Sequence, residues 1–251
     1  MRYHLRGAEI QGGVPELAAS SPLGGDNWDK WLGGWTADSR AVVFVSSPQG
    51  KFGIFKQPVR TQETQTLVSG PDSYGSPVAT PEGQWLLFTQ LSQGDNTGVS
   101  ARLMRISMNG GPTTLLAKGR FSYECAVQAH VCVLSEVTKD KRVFSLLDPL
   151  KGRGSDLAQT AATSDGWSLS FDGKRIALLP KDQADQIQII STTDGKTNSI
   201  ELKDWQLQSI SWAPDNQHLF ASGFSPSAFS IRLVNLDGKF RELFEVPGGQ
   251  G

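Results

Sequence analysis

One phrase recurs along this chain, and it leaves few folds open. It runs apolar or aromatic residue, small or hydroxyl residue, any residue, acid, Gly/Ser/Asn, basic residue or Gln, then an alternating β-branched or aromatic run. Clear copies are Trp35-Thr36-Ala37-Asp38-Ser39-Arg40, Ala79-Thr80-Pro81-Glu82-Gly83-Gln84, Leu169-Ser170-Phe171-Asp172-Gly173-Lys174 and Trp212-Ala213-Pro214-Asp215-Asn216-Gln217. Their leading residues are separated by 44, 90 and 43 positions, so the middle gap holds two periods and calls for a further copy near residue 124. Cys125-Ala126-Val127-Gln128-Ala129-His130 stands there, holding the turn position without Asp-Gly, and Val131-Cys132-Val133-Leu134 supplies the strand that follows. An acid that bonds local backbone, next to a residue tolerant of positive φ, makes the phrase a tight turn between two strands.

Two more strands follow each phrase. The runs Phe52 to Gln57, Arg102 to Met108, Arg142 to Leu147, Gln186 to Ser191 and Ser230 to Asn235 alternate as half-buried strands do. Each then meets a turn, such as Asn109-Gly110-Gly111 or Asp237-Gly238-Lys239, and a short closing strand such as Thr114-Leu115-Leu116 or Glu242-Leu243-Phe244. Four strands per period of about 44 residues describe one blade of a β-propeller. The expected fold is an all-β propeller domain over 1–251 with four-stranded antiparallel blades near 30–70, 74–118, 121–160, 165–203 and 207–246. Residues 1–20 read as the outer half of an additional blade, giving about six with the terminal one incomplete. The ends fall out of phase with the repeat, which points to a segment of a longer protein.

Composition removes several function classes. The 24 basic and 25 acidic residues are well mixed, so nothing marks a nucleic-acid or anionic membrane surface. No run of 18 apolar residues is present, and Met1 to Ile10 lacks the apolar stretch of a signal peptide. Catalysis is not expected. The only histidines are His4, His130 and His218, no G-x-S-x-G elbow occurs, and no Gly-rich phosphate loop precedes a helix. The acids Asp38, Glu82, Asp172 and Asp215 recur because the turn needs them. Cys125 and Cys132, with six residues between them and His130 as the one other ligand type, fall short of a zinc site. They can form a disulfide across a hairpin or remain two buried thiols. No metal or cofactor is expected.

Aromatic residues form the more informative set. Trp28, Trp31, Tyr74, Tyr123, Trp167 and Trp205 each fall two to seven residues before a leading residue, in the connections between blades, with Asp26, Asp72, Glu124 and Asp165 nearby. Two readings stand. They anchor a protein or peptide partner at a loop face, or they pack between blades.

Trp35-Thr36-Ala37-Asp38-Ser39-Arg40, Leu169-Ser170-Phe171-Asp172-Gly173-Lys174-Arg175-Ile176-Ala177 and Trp212-Ala213-Pro214-Asp215 resemble the W-SPDG-K/R-I-A repeats of TolB-like, WD-type bacterial β-propellers. Gly53-Ile54-Phe55-Lys56-Gln57 and the segment from Asp148 to Gly154 are similar to propeller modules fused to bacterial winged-helix regulators or Ser/Thr kinases. The resemblance implies a scaffold for protein or peptide interaction or sensing, in a periplasmic or other extracytoplasmic setting. Its alternatives are an accessory propeller gating a peptidase domain and a ligand-sensing domain of a fused regulator or kinase. A propeller is a superfold, so function has to come from sites.

Overall fold

The recurring phrase closes on itself through side chains. In the first copy Thr36 Oγ1 accepts from the Ala41 N–H at 3.0 Å and donates to Asp38 Oδ1 at 2.6 Å, while Asp38 Oδ1 also accepts from the Arg40 N–H at 3.0 Å. Ser170 and Asp172 repeat the pattern, with Arg175 N–H to Ser170 Oγ at 2.9 Å and Lys174 N–H to Asp172 Oδ1 at 3.1 Å. The residue after the acid takes positive φ: Ser39, Gly83, Gly173 and Asn216 lie between +56° and +71°. The third copy differs. Without Asp-Gly its positive-φ residue is His130, one place later in the turn.

In a computed structural model these turns join the first two strands of four-stranded antiparallel sheets. The structure describes residues 30–61, 63–91, 101–161 and 164–247, together with four short strands before residue 23. Blade 1 comprises β5 (Lys30–Trp35), β6 (Ala41–Ser46), β7 (Gly53–Pro58) and β8 (Gln65–Ser69), and blade 2 comprises β9 (Ser73–Ala79), β10 (Trp85–Leu91), β11 (Ala101–Ser107) and β12 (Thr114–Gly119). Blade 3 holds β13 (Phe121–Ala126), β14 (Val131–Val137), β15 (Lys141–Asp148) and β16 (Gly152–Ala161). Blade 4 holds β17 (Ser164–Leu169), β18 (Arg175–Pro180), β19 (Gln186–Ser191) and β20 (Thr197–Glu201), and blade 5 holds β21 (Gln206–Trp212), β22 (His218–Phe224), β23 (Ala228–Asn235) and β24 (Phe240–Pro247). Each sheet pairs its strands in sequence order, the up-and-down arrangement of a propeller blade.

The count is five blades among the described residues, not about six. Before them β1 (His4–Leu5) pairs with β4 (Ser21–Pro22), and β2 (Ala8–Gln11) pairs with β3 (Val14–Leu17). These are two nested two-stranded ladders and not part of a four-stranded sheet. Pro15 in β3 and Pro22 in β4 have no N–H to give, which suits a ribbon with free edges and not a strand paired on both sides.

Blades 1 and 2 lie in one compact unit and blades 3 to 5 in a second. In blades 1 to 4 the middle of the second strand is buried on both faces, so β6 reads Ala-Val-Val-Phe-Val with Val43 and Phe44 fully buried, whereas β22 of blade 5 alternates and leaves Phe220 and Phe224 exposed. Val43, Val45 and Ile54 of blade 1 pack on Leu86, Phe88 and Ile106 of blade 2. In the second unit Phe144 meets Ile176 and Leu178, and Leu179 and Ile187 meet Trp212 and Leu219. Each fully buried Leu, Ile or Phe contributes roughly 1.5–3 kcal/mol.

Polar contacts repeat with the same period. Trp167 Nε1 donates to Ser122 Oγ at 2.7 Å, the Leu169 N–H donates to Glu124 Oε2 at 2.7 Å, and Trp212 Nε1 donates to the Ser168 carbonyl at 3.1 Å. Each links positions 44 or 45 residues apart, one blade to the next.

Candidate functional site

Two concave sites among the described residues draw on the first strands or the connections just before them and on the loops between second and third strands. In the first unit β5 carries Trp31 and Leu32 after Lys30, and a register shift between Leu32 and Gly34 breaks its alternation against β6. The backbone of β9 then crosses β5 closely. A Cβ at Gly33 would lie 2.5 Å from the Pro77 carbonyl oxygen, so only glycine fits. Trp31, Leu32, Phe52, Tyr74 and Pro77 thereby surround an apolar groove of about 250 Å³. Trp31 is 49% exposed, its ring centroid 6.2 Å from that of Phe52. Tyr74 is fixed edge-on against Phe88 at 6.1 Å, and burial, then the charge of Asp72, pushes its hydroxyl pKa up. Asp72 in turn accepts from Gln90 Nε2.

The second unit treats its aromatic residues differently. Tyr123 is buried, and burial drives its hydroxyl pKa far up. Trp167 stands edge-on to Phe144 at 5.1 Å while its N–H is held by Ser122. Glu124, in the same joint, has its carboxyl pKa pushed up to about 7 by burial, opposed by hydrogen bonds from Leu169 and Ser168. Trp205 is 1% exposed, with the Arg232 guanidinium 4.3 Å over its ring. Of the six aromatic residues, Trp31 and Tyr74 share one groove, Trp167 belongs to the blade 3–4 joint, Trp205 lies at the blade 4–5 junction, and Tyr123 is buried in β13 beside Phe121. Trp28 and Asp26 lie outside the described residues, as does the side chain of Asp165.

Leu32, Phe52 and Pro77 escape a reading of the inter-blade connections alone. Phe52 ends the loop between the second and third strands of its blade, and adding that loop, repeat by repeat, to the search would have found it. The second concave site, about 560 Å³, combines the same two kinds of segment: Asp204 and Gln206 from an inter-blade connection, Asp185 and Phe224 from second-to-third-strand loops.

Cys125 and Cys132 face each other in the β13–β14 ladder, their Cα atoms 3.9 Å apart, and are joined as a disulfide. The turn acids act on backbone: Asp194 is held down to about 2 by the Ser191 hydroxyl and by Lys196, and Asp215 receives the Gln217 and His218 N–H groups. Among the described residues no three His, Cys, Asp or Glu side chains cluster as metal ligands, and no helix is long and apolar enough to cross a membrane.

No protein-family model matches the sequence, and no curated protein sequence matches it. Solved structures do match. The chain superposes on TolB from Acinetobacter baumannii with a TM-score of 0.70 and 20% identity, over 99% of this chain and 60% of that one. The fold is that of the TolB β-propellers. A second TolB-named structure, from Agrobacterium tumefaciens, matches at TM-score 0.69 and 14% identity over 95% of this chain and 87% of that one. A puromycin hydrolase matches at TM-score 0.71 and 14% identity, over 100% of this chain and 42% of the hydrolase. The chain therefore spans about three fifths of the Acinetobacter TolB and less than half of the hydrolase, and at these identities the likeness to TolB is one of fold.

Proposed function

We propose that this chain is a non-catalytic β-propeller scaffold that binds a protein or peptide partner through the groove of Trp31, Leu32, Phe52, Tyr74 and Pro77. The carrying observation is the half-exposed Trp31 at the rim of an apolar concavity whose other rings are fixed by packing. Rigid aromatic walls with one exposed anchor suit the capture of an apolar side chain at small entropic cost. The match to less than half of a puromycin hydrolase favours a second reading, an accessory propeller beside a catalytic domain. An extracytoplasmic setting, as the TolB-like fold suggests, agrees with the Cys125–Cys132 bridge, since disulfides persist in oxidising compartments.

Selection of a displayed random-peptide library on the wild-type chain, in parallel with Trp31→Ser, tests the first reading. Peptides with an apolar anchor should be enriched by the wild type and lost with Trp31→Ser, while the melting temperature of the variant stays within a few degrees. Equal enrichment by both proteins would refute it.

A further inference from the structure

The cavity at the junction of blades 4 and 5 belongs to neither the groove nor the fold's polar joints. Asp185 lies between β18 and β19, Asp204 and Trp205 immediately before β21, and Phe224 and Pro226 at the loop from β22 to β23. Together with Gln206 they border about 560 Å³, within the range of small-ligand sites. No basic residue is among its lining residues. Neither carboxylate has an ion-pair or hydrogen-bond partner among the described residues. Asp172 and Asp215 are, by contrast, engaged by turn N–H groups, and Glu136 and Asp156 by Arg153.

A second, independent feature points the same way. Trp205 forms part of the cavity wall, is 1% exposed, and its Nε1–H is buried with no acceptor. A buried indole N–H ordinarily finds a partner. The ring cannot easily turn to seek one, since Arg232 stacks on it and the site of a Cβ on Gly223 lies 3.0 Å from its Cε2. Phe224, 48% exposed, and Pro226 add apolar wall beside the acids.

We propose that this cavity binds an organic cation carrying a nearby acceptor oxygen, the chemistry of an arginine or lysine residue, free or within a peptide. Asp185 and Asp204 take the guanidinium or ammonium, Phe224 covers the apolar stem, and a carbonyl oxygen of the ligand meets the Trp205 N–H. The site lies in the second unit and makes no use of Trp31, so it stands or falls separately from the groove.

The test is titration of the full chain with arginine amide and with the peptide Ala-Ala-Arg-Ala-Ala, followed by the Trp205 indole N–H resonance, assigned through Trp205→Phe. A saturable shift is expected, with affinity reduced about tenfold or more in Asp185→Asn/Asp204→Asn and when citrulline replaces arginine. Tighter binding of the peptide than of arginine amide would support the site with a peptide as its source, and equal binding would support it with the free amino acid. Absence of a saturable shift up to about 10 mM probe, or equal binding of the citrulline peptide or by the double Asn variant, would overturn the proposal. The double variant changes two surface carboxylates without partners, so its unfolding curve should match the wild type.

Discussion

Gln128 and Asn216 stand two repeats apart in the chain and meet side chain to side chain, Asn216 Nδ2 donating to Gln128 Oε1 at 2.8 Å. Gln128 also donates through Nε2 to the Pro214 carbonyl at 2.9 Å, and its own N–H reaches the Phe171 carbonyl. The turns of blades 3, 4 and 5 are therefore tied at one point by the residue that replaces the usual acid in the third phrase. Gln128→Ala is expected to cost about 1 kcal/mol, because these bonds are exposed. A double-mutant cycle with Asn216→Gly, which preserves the positive φ, should give a coupling of about 0.5–1 kcal/mol in urea unfolding. Additive losses would show that the contact carries no energy of its own.

Glu124 should make stability pH-dependent. Its folded pKa is raised by burial to about 7, so the folded state holds the proton more tightly than the unfolded chain. The stabilisation is full below the unfolded value, declines as pH rises from about 4.5 to 7, and stays lost above that, a span worth roughly 3 kcal/mol. Glu124→Gln retains an acceptor for the Leu169 N–H and carries no charge. The difference in urea midpoint between variant and wild type should grow through this window, and parallel profiles would contradict the assignment.

Gly33→Ala is expected to destabilise the first unit by about 1–3 kcal/mol, since the new methyl would collide with the Pro77 backbone. Gly34→Ala is its control, with nothing within 4 Å of the added carbon. Thermal unfolding of the pair should separate them clearly; similar melting temperatures would mean that the β5–β9 approach is looser than described.

The disulfide predicts no titratable thiol in air-equilibrated native protein, and two after reduction in denaturant. Closing so short a loop is worth about 2 kcal/mol in the chain-entropy view, so Cys125→Ser with Cys132→Ser should lower the urea midpoint accordingly. Two reactive thiols without reductant would remove the bridge.

The repeat was legible because its chemistry is local. Thr36 with Asp38, and Ser170 with Asp172, close their turns within five residues, and such patterns survive in one dimension. The third blade was found from its period alone, but the bond from Gln128 to Asn216 was not, since it crosses two blades. Exposure of the aromatic residues was equally hidden. Trp31, the second residue of β5, and Trp205, just before β21, both lie near the start of a first strand, yet one is half exposed and the other buried beneath Arg232. The N-terminal segment, read as the outer half of a blade, instead pairs β1 with β4 and β2 with β3, a register that such short segments do not announce. Asp185 and Asp204 belong to different loops and meet only at one cavity.

The one-repeat bonds of the second unit also impose an order in time. Ser122, Glu124 and Ser168 accept from Trp167, Leu169 and Trp212, each made one repeat later, while the Asp172 N–H waits on Asn216. On a ribosome delivering the chain N-terminus first, blade 3 keeps these acceptors hydrated until blade 4 emerges, and blade 4 waits on blade 5. Maturation of this half of the protein thus follows translation with a lag of one repeat, and a ribosome stalled before Trp212 would hold a blade 4 whose edge is still wet.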